Sequence, residues 1–365
     1  MIDMIMKKNI QLSLLIFFIV LFFSLLCLSG CADTNQSLPV TRTGFAFDTV
    51  ITITIYDEQK SYVLEECFAR CDMYERLFST TLENSDVWNI NHSHTEPVTI
   101  SYDTACLLQS ALFYCMETDG LLDITLFPII EEWHISKQMT YHSENADYEY
   151  YIPSSDQLTQ LLSHVNYKNV LLLDHMGREV GYTDSLSSDV EYSVVLLDPY
   201  ASIDLGFLAK GYIADALKQY LMSEGIENGI ISLGGNVLLI GSKPDSTSYH
   251  VGIQKPFGGR NELITTVEGS DISIVSSGCY ERYFILDESK KDGTIYHHIF
   301  DTTTGYPVQN DLLSVTILSD SSLQGDALST YCYILGLEKG LDYIASCDKV
   351  DAVFVTTEYQ VHYQQ

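Results

Sequence analysis

The polar residues with the clearest chemical interest lie near the carboxyl-terminal end of the chain, inside an apolar run. The stretch from Gly325 to Gly336 reads G-D-A-L-S-T-Y-C-Y-I-L-G and has the pattern of a buried helix, yet it contains Asp326, Ser329 and Thr330. A carboxylate in such surroundings costs several kcal/mol unless it is paired. Capping of the helix N-terminus by Asp326 is one explanation. The stretch alone leaves the partner of this carboxylate open.

A second candidate is the stretch from Asp204 to Asp215, which reads D-L-G-F-L-A-K-G-Y-I-A-D. Gly206 and Gly211 allow close backbone approach, and a helix that starts here directs its free N–H groups and its positive dipole end at an anion. Lys210 adds a mobile cation. A glycine-rich helix start with a capping Asp is common, so this stretch by itself is a weak signal.

Three more stretches place glycine and polar residues where an ordinary core has aliphatic side chains. Residues 232–237, S-L-G-G-N-V, have the two glycines of a tight hairpin turn. Residues 276–284, S-S-G-C-Y-E-R-Y-F, indicate a turn that leads into a strand, with Glu281 and Arg282 on its solvated face. Residues 297–307, H-H-I-F-D-T-T-T-G-Y-P, contain two adjacent His residues. Neighbours on a strand point to opposite faces, which favours one His in a site and one structural His.

Several common sites are absent from the sequence. None of these stretches matches a Walker loop, a dinucleotide-binding fingerprint or a nucleophile elbow, and no Cys/His set has zinc spacing. An odd number of cysteines remains after the amino-terminal pair, and most of them lie in apolar helical patterns, which does not indicate a disulfide framework. Cys67 and Cys71 are therefore expected to be buried small hydrophobic residues.

The hydrophobic pattern predicts an α+β fold. Alternation over residues 50–56 predicts a first strand, and helical spacing predicts helices from Leu64 to Phe78 and from about Tyr102 to Thr118. The second half is rich in strands, which two long helices interrupt near residues 208–223 and 323–335. Such an order predicts largely antiparallel sheets with flanking helices. The expected strands of this half are 169–174, 192–197, 229–233, 237–241, 249–254, 263–267, 273–276, 283–287, 296–300 and 313–318. Residues 141–153 are Tyr-rich, acidic and aperiodic, which predicts a surface loop.

Composition limits the classes of partner. The chain has 365 residues and is 46% hydrophobic, so it can bury a substantial core. Its formal net charge of −30 argues against nucleic acid or an anionic membrane surface as partner. The same charge repels an anionic substrate, so a phosphate site would need a metal or local backbone donors.

The first residues have the features of a targeting segment. Lys7 and Lys8 precede an apolar run, and Leu28-Ser29-Gly30 precede Cys31. This end resembles the bacterial lipobox, which implies a signal peptide over residues 1–30 and diacylation of Cys31, with chains such as palmitate. Residues 31–44 would then be a tether and residues 45–365 a single domain. An uncleaved membrane anchor is the alternative. Both interpretations place the rest of the chain outside the cytoplasmic membrane.

The order of the motifs is more informative than any one of them. Asp-Leu-Gly-x-x-Ala-Lys-Gly-Tyr, Leu-Gly-Gly-Asn-Val, Ser-Gly-x-Tyr-Glu-Arg-Tyr-Phe, His-His-Ile-x-Asp-x-x-Thr-Gly-Tyr-Pro and Asp-Ala-Leu-Ser-Thr follow one another. This series resembles that of the ApbE-type FAD:protein FMN transferases, over roughly residues 45–337. Residues 78–80 and 120–128 resemble two further segments of that family. The resemblance implies an ApbE-like, T-fold-related α+β architecture.

The resemblance implies an activity and its partners. Members of the family bind FAD and a divalent cation, usually Mg²⁺, and transfer the FMN moiety to a Thr hydroxyl of a partner flavoprotein, releasing AMP. The acceptors are membrane redox subunits, such as those of Rnf and sodium-pumping quinone reductases, with an Asp-x-x-Ser/Thr-Gly-Ala-Thr type motif. Related members hydrolyse FAD to FMN and AMP. Together with Cys31, this implies a lipid-anchored enzyme on the outer face of the cytoplasmic membrane.

The resemblance also implies the metal ligands. Asp326 and Thr330 would give side-chain oxygens, with Ser329 adjacent, and the backbone carbonyl of Phe207 would complete the set. Asp326 and Thr330 are four residues apart, so a helix places them on the same side, as a shared ion requires. A hard cation prefers oxygen ligands, and pyrophosphate cleavage requires charge neutralisation.

A larger set of residues matches family positions beside FAD: Phe47, Thr81, Leu121, Leu122, Asp123, Asp204, Lys210 and Phe300. Two of them depart from the family pattern. Phe47-Asp48-Thr49 replaces the usual Met-Gly-Thr, and Thr81 replaces an aromatic residue, for which Trp88 is a substitute. These departures concern flavin affinity and not the type of reaction.

His298 and Asp301 are the candidates for proton transfer near the acceptor hydroxyl, because a His with a pKa near neutrality can act as a base. Asp301-x-x-Thr304-Gly305 resembles half of the acceptor motif, but Tyr306 and Pro307 replace its Ala-Thr, so self-flavinylation is not expected. Three functions therefore compete: a flavin transferase, an FAD diphosphatase for flavin salvage, and a non-catalytic flavin-binding lipoprotein.

Overall fold

The structure, a computed structural model, describes residues 38–145, 147–259, 261–286 and 293–364. The predicted signal peptide, Cys31 and most of the predicted tether lie outside these residues. The sequence predicts a tether as far as residue 44, but Val40–Ala46 forms a strand, so the folded part begins earlier. Within the described ranges, no helix is both long and apolar enough to cross a membrane.

The strands of the described residues are numbered in chain order. They are β1 (Val40–Ala46), β2 (Thr49–Ile55), β3 (Val98–Ile100), β4 (Val170–Asp174), β5 (Tyr192–Leu196), β6 (Gly229–Leu233), β7 (Asn236–Ile240), β8 (Tyr249–Gln254), β9 (Leu263–Gly269), β10 (Ser273–Gly278), β11 (Tyr283–Ile285), β12 (Ile295–His297), β13 (Leu312–Ser319), β14 (Asp351–Thr356) and β15 (Val361–Gln364). The helices are α1 (Val63–Phe78), α2 (Asp86–Asn91), α3 (Tyr102–Glu117), α4 (Phe127–Trp133), α5 (Ile135–Glu144), α6 (Ser155–Leu162), α7 (Gly206–Ser223), α8 (Ser322–Leu335) and α9 (Leu337–Ala345).

An eight-stranded antiparallel sheet forms the centre of the fold, in the order β1-β2-β6-β7-β10-β13-β14-β15. In β2 the residues Ile51, Ile53 and Ile55 are fully buried, while Thr52 and Thr54 point to the opposite face, as the two-residue period of a strand requires. This sheet, with helices packed beside it, confirms the predicted α+β class and its antiparallel pairing.

The two faces of the sheet are covered differently. Helices α7 and α8 pack on one face, where Leu217 shares the main core with Leu238 of β7. The β8–β9 hairpin covers the other face, where Leu239 packs with Tyr249 and Val267. Leu238 and Leu239 are adjacent on one strand, so their opposite directions separate the two layers. The layer formed by α7 and α8 carries the polar residues of the candidate site.

Two smaller sheets flank this body. β3, β5 and β4 form a three-stranded sheet, and β11 pairs with β12. Helices α4 and α6 enclose a third apolar cluster, in which Trp133 lies beside Phe284 and Phe300. This cluster adjoins the segment that contains the adjacent His residues.

The ten strands predicted in the second half all overlap observed strands, and both long helices are present. The sequence did not indicate β1, β3, β14 and β15, or the short helices α2, α4, α5, α6 and α9. The expected loop at 141–153 is wrong in part, because residues 141–144 belong to α5. Tyr150 also stacks on Phe284, with 4.2 Å between the ring centroids, so this stretch packs against the third cluster.

The cysteines behave as expected. All seven in the described residues are free thiols, and Cys67 and Cys71 are completely buried. Burial raises the pKa of each of these two thiols to about 12, so both remain protonated. They are packing residues of the core.

Candidate functional site

Helices α7 and α8 cross at Gly211, and this crossing positions Asp326. A Cβ atom at Gly211 would lie 2.6 Å from the Cα atom of Leu323 and would also overlap the carbonyl group of Ser322. Only glycine lets the two helix backbones approach this closely. The approach brings the Gly211 amide within 2.5 Å of Oδ2 of Asp326, to which it donates a hydrogen bond.

Asp326 is a buried carboxylate with partners from distant parts of the chain. It is 5% exposed, and besides the Gly211 amide it accepts a hydrogen bond from Nδ2 of Asn236 at 3.3 Å. Burial raises the pKa of Asp326 to about 6, while the charge of Lys210 and the two hydrogen bonds oppose the rise. The partners of this carboxylate are therefore two neutral donors and a nearby cation, which do not offset the cost of burial.

Thr330 lies one turn along α8 from Asp326 and belongs to a cluster of hydroxyl groups. Oγ of Ser277 lies 2.8 Å from Oγ of Ser329 and 3.1 Å from Oγ1 of Thr330. Ser329 is fully buried, and its hydroxyl also donates to the carbonyl of Asp326 at 3.2 Å. Thr330 is only partly buried. Thr330 therefore offers an accessible oxygen, whereas Ser329 is engaged within the protein.

Phe207, the predicted carbonyl ligand, is the second residue of α7. In a regular α-helix its carbonyl accepts a hydrogen bond from the amide four residues later, which is the amide of Gly211. That amide donates to Asp326, so the two acceptors compete for it and the Phe207 carbonyl retains acceptor capacity. The side chain of Phe207 is partly buried and packs against the main core.

A cluster of charged side chains surrounds this crossing. Lys210 acts electrostatically on Glu281, His298 and Asp326, and Arg282 acts on Asp204, Glu281 and His298. Burial raises the pKa of both Asp204 and Glu281, yet both side chains retain accessible surface. Both carboxylates are therefore crowded by protein and still reach solvent. We refer to this charged cluster, together with the helix crossing beside it, as the cleft.

The two adjacent His residues have different environments. His297 is buried, and Nε2 donates to the carbonyl of Val308 at 2.8 Å while Nδ1 accepts from the amide of Ile299. His298 is partly exposed, and its Nδ1 lies 3.3 Å from the carbonyl of Arg282. A carbonyl can only accept, so Nδ1 carries the proton and Nε2 of His298 is the bare nitrogen. One His is structural and the other faces the cleft.

The electrostatics of His298 differ from the near-neutral pKa that the sequence suggested. Burial, the charge of Arg282 and the neighbouring His297 lower the pKa of His298 to about 3. His298 is therefore uncharged near neutral pH, in the form that can accept a proton at Nε2. An anionic ligand in the cleft would raise this pKa, because it would offset the positive charge of Arg282.

Asp301, the other candidate for proton transfer, has a local structural role. Its Oδ1 accepts hydrogen bonds from the amide and the hydroxyl of Thr303, at 2.7 and 2.6 Å. Its backbone carbonyl accepts from Gly305, which closes the turn that contains Thr304. These bonds shape the 301–306 turn and engage one of the two carboxylate oxygens of Asp301.

The segment around Asp123 is tied to the candidate site through the backbone. The carboxylate of Asp123 accepts from the amide and hydroxyl of Thr125 and from the amide of Tyr167, so it stabilises the loop. The carbonyl of Ile124 accepts from the amide of Asp204 at 2.8 Å. The segment therefore lies against Asp204, but its carboxylate is occupied.

The predicted apolar contacts to FAD differ in exposure. Leu122 and Phe300 are each 4% exposed and belong to two different apolar clusters. Their side chains contribute packing and present little surface to a ligand. Leu121 is partly buried and precedes them at the surface of the loop, and Thr81 is exposed.

The β1–β2 hairpin brings Phe47 toward the cleft in a strained conformation. Phe47 and Asp48 have φ angles of 53° and 56°, a region that a bulky residue rarely adopts. The amide of Phe47 donates to Glu75 at 3.1 Å. The adjacent Thr49 packs against Gly234 of the predicted hairpin turn, which is present between β6 and β7. The Phe47 tip and the Gly-Gly turn are thus neighbours.

Several polar residues of the cleft were not identified as such from the sequence. Glu281 and Arg282 were expected on a solvated face, and both are exposed. A Cβ atom at Gly235 would lie 2.9 Å from Oε1 of Glu281, so this carboxylate also lies over the hairpin turn, which the sequence did not indicate. Asn236 and Ser277 also contact the groups on α8. Their motifs were visible in the sequence, but the direction of each side chain was not.

The donor set at the helix crossing suits a hard divalent cation. The Asp326 carboxylate, the Thr330 hydroxyl and the Phe207 carbonyl are all oxygen donors, which Mg²⁺ prefers. The charge of Asp326 is buried and incompletely offset, which is the observation that a cation would explain. The described part of the chain contains no group of three or more His, Cys, Asp or Glu side chains that could hold a metal. A bound Mg²⁺ would therefore need further oxygens from a ligand such as a phosphate.

Comparison with known proteins identifies the family of this chain. A sequence model of the ApbE family matches residues 47–354. The chain is 32% identical over 307 residues to the FAD:protein FMN transferase of Klebsiella pneumoniae, which covers 84% of this chain and 85% of that one. It is 27% identical over 351 residues to the enzyme of the same name from Treponema pallidum, covering 92% and 90%.

The crystal structure of the ApbE protein of Thermotoga maritima superimposes with a TM-score of 0.75 at 27% identity, covering 90% of this chain and 97% of that one. Both the sequence match and the structural match extend over most of the chain. The resemblance inferred from the order of five motifs is therefore confirmed, and the chain belongs to the ApbE family.

Proposed function

We propose that this protein is an FAD:protein FMN transferase that requires Mg²⁺, moves the FMN moiety of FAD to a Thr hydroxyl of a partner flavoprotein and releases AMP. The observation that carries the proposal is the convergence of three separate motifs on one cleft: the first contains Asp204 and Lys210, the second His298 and the third Asp326. Family membership and the names of the relatives support the same activity.

The charge of the cleft fits an anionic substrate. The protein has a formal charge of −30, which repels a pyrophosphate at long range. Beside the carboxylates of Asp204 and Glu281, Lys210 and Arg282 supply positive charge within the cleft. These groups suit the pyrophosphate of FAD, and the cleft walls would hold it in one orientation.

Asp326, Thr330 and the Phe207 carbonyl are the residues that would hold Mg²⁺. A bound Mg²⁺ would neutralise negative charge on the pyrophosphate and thereby favour cleavage. Asp326 is held by Gly211 and Asn236 before any ligand binds, so its oxygens need little reorganisation. This arrangement reduces the entropic cost of forming the complete site.

The transfer step requires one proton acceptor. The acceptor hydroxyl oxygen forms a bond to the phosphorus of the FMN half, the bond from that phosphorus to the bridging oxygen breaks, and AMP leaves with the electron pair. The hydroxyl proton goes to Nε2 of His298, which is bare because Nδ1 faces the carbonyl of Arg282. Such general-base assistance contributes about 10²–10⁴-fold to the rate.

A second activity, FAD diphosphatase, follows if water replaces the acceptor hydroxyl. The observation that favours it is Thr81, which is exposed and stands where the family usually has an aromatic residue. A weaker stack on the flavin would hold the FMN half less firmly during transfer. The chemistry at phosphorus is the same for both activities, so the residues that bind Mg²⁺ and FAD are shared.

We place the enzyme on the outer face of the cytoplasmic membrane, anchored through a diacylated Cys31. The lipobox-like sequence before Cys31 supports this location. Its acceptor would then be a membrane redox subunit of the Rnf or sodium-pumping quinone reductase kind, with the Asp-x-x-Ser/Thr-Gly-Ala-Thr type motif. Radiolabelled palmitate incorporated by the wild type and not by a Cys31→Ser variant would support the anchor.

A single incubation distinguishes the candidate functions. Purified protein is mixed with FAD, Mg²⁺ and a peptide that contains Asp-x-x-Thr-Gly-Ala-Thr, and a second peptide with Val in place of the last Thr is the control. Covalent fluorescence on the first peptide alone indicates transfer. Release of FMN without labelled peptide indicates the diphosphatase, and intact FAD indicates binding only and refutes both enzymatic activities.

The same assay tests the metal assignment. Asp326→Ala is expected to abolish turnover, because it removes the only charged ligand proposed for Mg²⁺. Asp320→Ala is the matched control, since Asp320 is an exposed carboxylate shortly before α8 and forms an ion pair with the exposed Lys349 at 3.8 Å. Full Mg²⁺-dependent activity of Asp326→Ala would contradict the assignment.

A further inference from the structure

Asp215 of α7 binds the amino-terminal end of α8. Its Oδ1 accepts a hydrogen bond from the amide of Ser322 at 2.9 Å, and its Oδ2 accepts from the amide of Leu323 at 3.0 Å and from the hydroxyl of Ser321 at 2.8 Å. Three donors from the start of α8 therefore meet one carboxylate of α7. Nothing in the proposed reaction assigns a role to this residue.

These bonds complete the hydrogen bonding at the start of α8. The first amides of a helix lack partners within the helix. Asp215 satisfies the amides of Ser322 and Leu323, and the hydroxyl of Ser321 satisfies the amide of Gln324 at 3.3 Å. The negative charge of Asp215 also lies at the positive end of the α8 dipole. The position of α8 along α7 is therefore set by a side chain of α7.

A chain of buried hydrogen bonds leads from this cap to Asp326. The hydroxyl of Ser322 donates to Oδ1 of Asn236 at 2.6 Å and receives a hydrogen bond from the hydroxyl of Ser273. Because its oxygen is held by Ser322, the Asn236 amide must direct its Nδ2 group to Asp326. All four of these side chains are buried. The orientation of the Asp326 carboxylate thus depends on the placement of Ser322.

Asp215 and Gly211 lie one turn apart on α7 and contact α8 at neighbouring points. Gly211 sets how closely the helices approach, and its amide binds Asp326. Asp215 binds the helix start four residues before Asp326. Two contact points on one face of α7, at Gly211 and Asp215, therefore fix both the distance between α7 and α8 and the position of α8 along the axis of α7.

We propose that Asp215 is a positioning residue for the divalent cation: through Ser322 and Asn236 it places the oxygens of Asp326 and Thr330 opposite the Phe207 carbonyl. The inference rests on the proposed function, because that function supplies the cation. A residue that only caps α8 would stabilise the fold without affecting the affinity for the divalent cation. Partners that orient metal ligands contribute about 10–100-fold to metal affinity.

Asp215→Asn tests this role with Asp86→Asn as a matched control. Asp86 is also a helix residue that binds the start of another helix, since Oδ2 accepts from the amide of Ser101 at 2.8 Å and from the hydroxyl of Thr104 at 2.6 Å, beside α3. It has no bond to the groups that surround Asp326. Both variants lose a carboxylate at a helix start, so both are expected to lower the melting temperature.

The deciding measurement is a Mn²⁺ titration in the presence of FAD, in which electron paramagnetic resonance reports the free ion. Asp215→Asn is expected to weaken Mn²⁺ binding by about 10–100-fold, whereas Asp86→Asn binds as the wild type does. Equal binding by wild type and Asp215→Asn would overturn the inference. If the wild type itself binds no Mn²⁺, the metal-dependent function fails instead, which is a different result.

A second variant keeps the inference testable if Asp215→Asn does not fold. Ser322→Ala retains the amide that Asp215 caps and removes only the hydroxyl that holds Asn236. It is expected to lower Mn²⁺ affinity while circular dichroism remains that of the wild type. Unchanged affinity in Ser322→Ala would mean that the cap does not act on Asp326, and the proposal would be wrong.

Discussion

Replacement of Asp326 by Asn tests the cost of the buried charge. The pKa of Asp326 is raised to about 6 from an ordinary value of 3.8, chiefly by burial. A difference of about two units corresponds to roughly 3 kcal/mol, at about 1.4 kcal/mol for each unit. Asp326 is 5% exposed, so solvent screening reduces this figure little. Without metal, the ionised side chain is therefore expected to destabilise the fold.

The sign of the effect follows from proton binding. Between pH 4 and pH 6 the folded state retains a proton on Asp326 that the unfolded state has released. The free energy of unfolding of the metal-free protein therefore falls as the pH rises through this window. Asp326→Asn cannot ionise, so its free energy of unfolding should gain about 3 kcal/mol relative to the wild type between pH 4 and pH 7. The substitution also turns an amide toward Nδ2 of Asn236, which costs about 1 kcal/mol at every pH.

The measurement is urea denaturation in EDTA at pH values from 4 to 7, with Asp320→Asn as an exposed control that should parallel the wild type. At pH 7, added Mg²⁺ is expected to stabilise the wild type and not Asp326→Asn. Parallel curves for wild type and Asp326→Asn across this range would refute the argument that Asp326 is a costly buried charge. Mg²⁺ stabilisation of the variant equal to that of the wild type would refute its role as ligand.

Three more predictions concern separate parts of the site. Gly211→Ala should lower the free energy of unfolding by about 1–3 kcal/mol or more, because its Cβ atom meets the α8 backbone, whereas Gly259→Ala, with space around its Cβ, should have little effect in urea denaturation. His298→Ala should reduce turnover by about 10²–10⁴-fold with an unchanged melting temperature. His297→Ala should lower the melting temperature, because it removes a buried, hydrogen-bonded ring. The reverse pattern would exchange the roles of the two residues. Thr81→Tyr should strengthen FAD binding, measured by quenching of flavin fluorescence, through an added ring stack worth about 0.5–1.5 kcal/mol; weaker binding would show that no flavin ring lies near residue 81.

The low pKa of His298 has a consequence for the pH profile of the reaction. The pKa of about 3 means that this imidazole stays neutral well below pH 6 when no anion is bound. Loss of activity between pH 6 and pH 5 would then reflect protonation of Asp326, which competes with Mg²⁺ for the same oxygens. Excess Mg²⁺ should shift this acid limb to lower pH.

Local sequence determined the longer helices, most of the strands of this fold and the spacing of the proposed metal ligands. The strand at β2 follows from alternation of Ile and Thr, and the helix at α8 follows from its apolar period, because both patterns depend only on neighbouring residues. The same period places Asp326 and Thr330 on one side of α8. The opposite directions of His297 and His298 also follow from the geometry of a strand. The order of the motifs along the chain indicated the ApbE family.

Tertiary structure alone decided what these side chains contact. The partners of Asp326 lie 115 and 90 residues earlier in the chain, at Gly211 and Asn236, and no local pattern relates such positions. The position of the exposed Glu281 carboxylate over the Gly234–Gly235 turn likewise joins two distant segments of the chain. Asp123 and Asp301 look like site residues in the motifs, yet their carboxylates bind nearby amides and hydroxyls. Periodicity fixes the direction of a side chain within its own element, whereas the packing of elements determines what lies opposite it.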